Sequence, residues 1–196
     1  MEPAPDMRIG RRASLIGLCS AILCSVILIP LCRAEAQEGS EPEVKADYLY
    51  KLASFVDWPA SALGASSNPL VICIIGNDPF GPILDRAIAG RRVADRPITV
   101  QRLPQADRNL GCHIVYLSGT GDQPVTEALR VLKGTPVLTV TDASDTPGMI
   151  DFVLVQGHVR FRADEAAAAE AGLTISSKLL DLATSVKPRA TKETSP

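Results

Sequence analysis

Apolar positions along the chain alternate between a helical and a strand-like rhythm. Val44, Tyr48, Leu52 and Phe55 recur at spacings of four, four and three, one face of a helix, and predict a helix over 44–57. Trp58-Pro59 ends it, because the residue before a proline avoids the α region. Residues 60–69 are small and polar and predict a loop. Residues 70–76 form a short β-branched apolar run, the pattern of a buried strand. Asp78 and Pro79 supply a cap and a first-turn proline for a helix over 79–89, which stops at Gly90. Strands are predicted at 97–103, 112–117 and 136–141, with a helix at 124–132 before the last of them. Two further strand-like runs, 149–155 and 158–161, are joined by Gln156-Gly157, a hairpin signal. Asp164 caps an alanine-rich helix over 165–171 that Gly172 stops, and Ser176 and Ser177 are alternative caps for a last helix through Ala183.

Strands alternating with helices imply an α/β domain with a largely parallel sheet flanked by helices on both faces. The C-terminal antiparallel hairpin adds an edge to it. The domain is expected over 44–186, with a flexible polar arm at 37–43 and a disordered tail at 187–196.

The first 36 residues have a different character. Arg8, Arg11 and Arg12 precede an apolar run over 15–31, and Arg33-Ala34-Glu35-Ala36 offers an A-x-A-like cleavage site. A signal peptide over 1–36 that directs the chain to the periplasm is the expectation. The competing reading is a retained anchor, since about 17 apolar residues can just span a bilayer. Cys19, Cys24 and Cys32 each follow a leucine, which argues against a lipoprotein.

Composition narrows the function. The segment 1–36 carries four of the 20 basic residues and three of the 22 acidic ones, so the remainder is mildly acidic. Nucleic acid binding, which calls for a basic patch, is thereby disfavoured. Cys73 and Cys112 remain outside that segment, each inside a strand-like apolar run. Two cysteines in an exported chain usually pair, and neighbouring parallel strands could bring them together; two buried free thiols are the alternative.

The chain offers few candidates for chemistry. His113 and His158 have no metal-ligand spacing around them. The stretch Gly76-Asn77-Asp78-Pro79-Phe80-Gly81 opens a helix, where backbone N–H groups can hold an anion. It lacks the lysine and hydroxyl of a phosphate loop, and Asp78 would repel a phosphate, so a capped turn explains it better. No nucleophile elbow occurs, and Ser176-Ser177-Lys178 has the wrong serine–lysine spacing. The chain is therefore read as a non-enzyme with no cofactor and no metal. Tyr48, Tyr50, Phe55 and Trp58 crowd together; Tyr48 and Phe55 fit the core stripe, while Tyr50 and Trp58 stand off it as either satellite core or partner surface.

Five ordered segments together resemble the YfiR family of periplasmic proteins. They are KADYLYKLASFVDWP from Lys45, CIIGNDPFGPILD from Cys73, GCHIVYLS from Gly111, PVLTVTD from Pro136, and GMIDFVLVQGHVRF followed by AGLTISSKLLDLA. The resemblance implies an α/β sandwich, export, and a disulfide between Cys73 and Cys112. It implies a homodimer that represses an inner-membrane diguanylate cyclase by binding the cyclase's periplasmic sensor region. An outer-membrane, peptidoglycan-associated lipoprotein would sequester it, and its output would be less cyclic di-GMP and less biofilm. Some relatives carry a second disulfide near the terminal hairpin, where this chain has no cysteine. Asp164 and Ala163 stand where those relatives usually have asparagine and isoleucine. Tyr50, Trp58, Phe161, Leu173 and Ile175 are the expected partner contacts. The rival is a small-ligand receptor, or an accessory of another envelope signalling system. Its ligand would sit beyond the carboxyl ends of the strands, at Gly76, Asn77, Asp78, Ser118 and Asp142.

Overall fold

The computed structural model describes residues 39–119 and 122–189. The segment expected as a signal peptide and the last seven residues of the expected tail lie outside the described residues. Helix α1 spans Glu41–Leu52 and runs into a 3₁₀ turn at Ala53–Phe55. Strand β1 is Val56–Asp57, α2 is Ala60–Leu63, β2 is Leu70–Ile75 and α3 is Pro82–Ile88. Next come β3 (Arg92–Val93), β4 (Arg96–Leu103), β5 (Ile114–Leu117), α4 (Val125–Leu132) and β6 (Leu138–Asp142). The chain closes with β7 (Ile150–Val155), β8 (His158–Asp164), α5 (Glu165–Glu170), β9 (Thr174–Ile175), α6 (Ser177–Leu180) and β10 (Ser185–Lys187).

Eight strands form one sheet in the order β10-β8-β7-β6-β5-β2-β4-β3. From β4 through β2, β5 and β6 to β7 every pairing is parallel. Strand β8 returns antiparallel to β7 through the Gln156-Gly157 turn, where both residues have positive φ, 52° and 81°, as a type I′ hairpin requires. Every residue of β2 is buried, as a central parallel strand demands. The chain leaves β2 for β4 on one side and then crosses to β5 on the other, which places a topological switch point between β2 and β5.

The sheet has a core on each face. One joins Ile72 and Ile74 of β2, Tyr116, Val140, Phe152 and Phe161 to residues from α1, α3, α5 and α6. The other is smaller and packs Val71, Cys73, Ile75, Val115 and Leu117 against Ala128 and Leu132 of α4. The expectation of a largely parallel sheet, helices on both faces and a C-terminal hairpin holds.

Several boundaries differ, for local reasons. The polar stretch expected as a flexible arm over 37–43 already belongs to α1 from Glu41 onward. A capping box starts it: Ser40 and Glu43 bond each other's backbone N–H groups, and Pro42 sits in the first turn. The helix ends early because Val56–Asp57 is drawn into an antiparallel ladder with β9, Val56 opposite Ile175. The last helix stops at Leu180, well short of Ala183, and Ser176 is its cap, accepting from the Leu179 N–H. The expected tail is ordered at its start: Lys187 closes β10, which pairs parallel with the end of β8. Lys187 also reaches Asp164 at 2.9 Å.

Candidate functional site

The carboxyl ends of β2, β5 and β6 hold the residues expected to bind a ligand. Ser118 follows β5 and donates its hydroxyl to the Asn77 carbonyl. Asp78 accepts from the backbone N–H groups of Phe80 and Gly81 at 2.8 and 3.1 Å and from Arg102 Nε at 2.6 Å. Burial pushes the Asp78 carboxyl up, but the Arg102 bond and the two backbone bonds outweigh it and hold it below its ordinary value. Arg102 also bonds Asp85, at 2.7 Å, and the two carboxylates drive its guanidinium higher still. Gly76 supplies the turn after β2, at φ 99°.

Asp142, at the end of β6, accepts from Lys45 Nζ at 2.6 Å and from the Tyr116 hydroxyl at 3.1 Å. Lys45 comes from α1, is only 5 % exposed, and bonds Glu41 as well. Burial alone would pull the Lys45 ammonium down; its bonds to Asp142 and Glu41 more than compensate, and its pKa is raised. Burial pushes the Tyr116 phenol far up, and the charge of Asp142 adds to that. Helix α1 thus lays a buried cation over the end of the sheet, and the side chains of Asp78, Ser118 and Asp142, expected to meet a ligand, are engaged by the protein itself. The chemistry of this end is fastening: it ties α1 to β5 and β6.

Four of the five expected partner contacts are inside the protein. Tyr50, Phe161, Leu173 and Ile175 are all buried members of the larger core. Tyr50 is buried because α1 is enclosed on more than one side, by α3 and by β8, which a single apolar stripe does not foresee. Phe161 alternates inward with Val159 and Ala163 along β8. Ile175 is held by its pairing with Val56. Trp58 is partly buried and stands edge-on to His113, ring centroids 6.3 Å apart.

The exposed apolar side chains lie elsewhere. Leu154 (54 % exposed) and Val155 end β7 at the hairpin turn, and Leu182 (62 %) and Val186 flank and enter β10. Strand β10 is the outermost strand on its side, and all three of its residues are exposed. The signal for Leu154 was available in the sequence: the continuous apolar run 152–155 cannot be buried on both sides at the tip of a hairpin. Val186 carried no such signal, because nothing local marks β10 as a strand. Near this edge a cleft of about 390 Å³ opens between α4, residues 146–149, α5 and Lys187, with Leu129, Pro147 and Met149 among its apolar walls and Arg130 and Lys133 on its rim.

Cys73 and Cys112 are joined in a disulfide, Cα atoms 5.9 Å apart, within the α4-side core. Cys73 sits in β2, and Cys112 lies just ahead of β5 instead of inside it. Among the described residues no cluster of histidine, cysteine and acidic side chains could hold a metal ion, and no helix is long and apolar enough to cross a membrane.

A mostly parallel sheet with a terminal antiparallel hairpin, bridged by a disulfide from its central strand, defines a mixed α/β domain. The sequence model of the YfiR/HmsC-like family matches residues 42–184, and the chain belongs to that family. A comparison with curated proteins returns no match.

Proposed function

We propose that the protein acts in the periplasm by binding, not by catalysis. Its target is the periplasmic sensor region of an inner-membrane diguanylate cyclase, which it holds in the inactive arrangement. Membership of the YfiR/HmsC-like family over 42–184 is the observation that carries this reading. A binder represses only through a higher affinity for the inactive state than for the active one. The surface best suited to it is the β8–β10 side of the sheet, where Leu154, Val155, Leu182 and Val186 present apolar area that the fold leaves uncovered. A homodimer is the assembly this reading expects, and an outer-membrane, peptidoglycan-associated lipoprotein is the counter-partner that relieves repression. The deciding experiment measures cyclic di-GMP in cells lacking the protein, with a complemented control. A rise reversed by complementation supports repression of a cyclase; an unchanged level under several envelope stresses overturns it.

A small-ligand receptor is the second reading, and the cleft beside α4 favours it, since about 390 Å³ is within the size range of ligand sites. A thermal-shift screen separates the two, because a ligand raises the melting temperature by mass action.

A further inference from the structure

Three observations meet at the segment between β1 and β2. The imidazole of His113, just ahead of β5, is 7 % exposed, and its Nδ1 accepts a hydrogen bond from the Val71 backbone N–H at 3.1 Å. An accepting ring nitrogen carries no proton, so the ring is neutral and its hydrogen is on Nε2. That Nε2 is buried without a hydrogen-bond partner, and so is the indole Nε1 of Trp58 beside it. Loop residues are held from a third side by Arg96, whose guanidinium donates to the carbonyls of Leu63, Gly64, Ala65 and Asn68 at 2.6 to 3.2 Å.

We propose that His113 is a proton-operated latch for residues 58–69: neutral, it seats Trp58 and the loop that follows, and protonated, it releases them to solvent. The added proton takes the Nδ1 lone pair that the Val71 N–H uses, so the bond is lost and two N–H groups oppose each other. The ring becomes a cation in a buried volume. Burial is the largest force against that charge; the Ala62 backbone, next in size, favours the charge, and Arg96 opposes it. Arg96 is the charged side chain that acts on the ring among the described residues, and no carboxylate there offsets it. The ring therefore stays neutral to a pH below its ordinary value of 6.5. His113 cannot carry its charge out to water, because its own backbone is pinned on both sides. Its N–H bonds the Val71 carbonyl and its carbonyl accepts from Leu138, both at 2.9 Å. What can move is the cover, a stretch of loop interrupted only by the four-residue helix α2.

Trp58 is the chain's only tryptophan, so it reports on the latch without a label. The test follows its emission maximum and its quenching by acrylamide from about pH 8 to about pH 5, with far-UV circular dichroism in parallel. The companion is His113→Gln, whose amide oxygen can accept from the Val71 N–H but does not titrate. In the unmodified protein the emission should shift to the red and quenching should rise, with a midpoint below 6.5 and with the circular dichroism unchanged. The variant should keep its neutral-pH values throughout. A flat response in the unmodified protein, or the same shift in both proteins, overturns the latch. Should the variant fail to fold, hydrogen exchange on the unmodified protein decides: after correction for intrinsic rates, amides of 58–69 must exchange faster in acid while those of β5 and of β2 other than Val71, whose own bond to His113 is lost, do not. Equal protection at both pH values overturns the proposal. None of these readouts depends on the cyclase partner.

Discussion

Lys45 and Asp142 are 97 positions apart in the chain and 2.6 Å apart in the fold. The pair joins the first helix to the far end of β6, and its cation is almost fully covered. A buried charge that loses its partner costs far more than the intact pair contributes.

Lys45→Met should therefore lower the unfolding free energy by about 3 kcal/mol, leaving Asp142 with the Tyr116 hydroxyl alone. Glu41→Gln should change it by less than about 1 kcal/mol, because Glu41 is the exposed member of the cluster, with its side chain 45 % accessible. Urea denaturation checks both: the midpoint should fall for the first and hold for the second, at constant slope. Equal effects would mean that the buried cation is not the anchor.

The same cluster sets an alkaline limit. The pKa values of Tyr116 and Lys45 are both raised by the fold, so the unfolded chain gives up these protons first as pH rises. Their contribution is complete below the ordinary tyrosine value of 10.0 and is lost above it. Tyr116→Phe should cost about 1 kcal/mol at neutral pH through the missing hydrogen bond and should flatten the decline above pH 10.0. Unfolding free energies measured across that range test the sign, and an unaltered decline would remove Tyr116 from the cause.

The disulfide closes a loop with a sequence separation of 39. On the chain-entropy account, replacing both cysteines with alanine should cost about 4 kcal/mol. Cys73 and Cys112 are both buried, so a reductant added to the folded protein should act only as fast as the domain opens. Thiol trapping over time measures this. Immediate reduction under native conditions would show that the α4 side opens locally.

Leu154→Asp and Val186→Asp should leave stability within about 0.5 kcal/mol, since both side chains already face water. If the β8–β10 side is the partner surface, each should weaken binding to the cyclase sensor region by about tenfold or more. Titration of the purified partners reads this directly, and undiminished binding would move the interface elsewhere.

What the sequence made legible was what local patterns encode. The alternation of strands and helices, the hairpin turn and the Asp164 cap are each written in a few neighbouring residues. The start of α1 was also written there, in Ser40 and Glu43, but the polar composition of that stretch masked it. Features set by distant partners were not legible. The two-residue β1 exists only because β9 lies beside it, and β10 only because β8 offers an edge. Burial of Tyr50 depends on how many neighbours enclose α1, which periodicity cannot count. The residues at the strand ends were placed correctly along the chain, but their engagement with Lys45 and Arg102 belongs to the tertiary structure.

Arg96 shows a further consequence. It lies between 28 and 33 positions from the four carbonyls it gathers, and it grips backbone, not side chains. The shape of residues 63–68 is thus specified by an amino acid outside them. Apart from Gly64, whose φ of 57° calls for glycine, their own side chains are released from this duty, so mutation can rewrite the chemical face of this loop between descendants while its path through space is inherited unchanged.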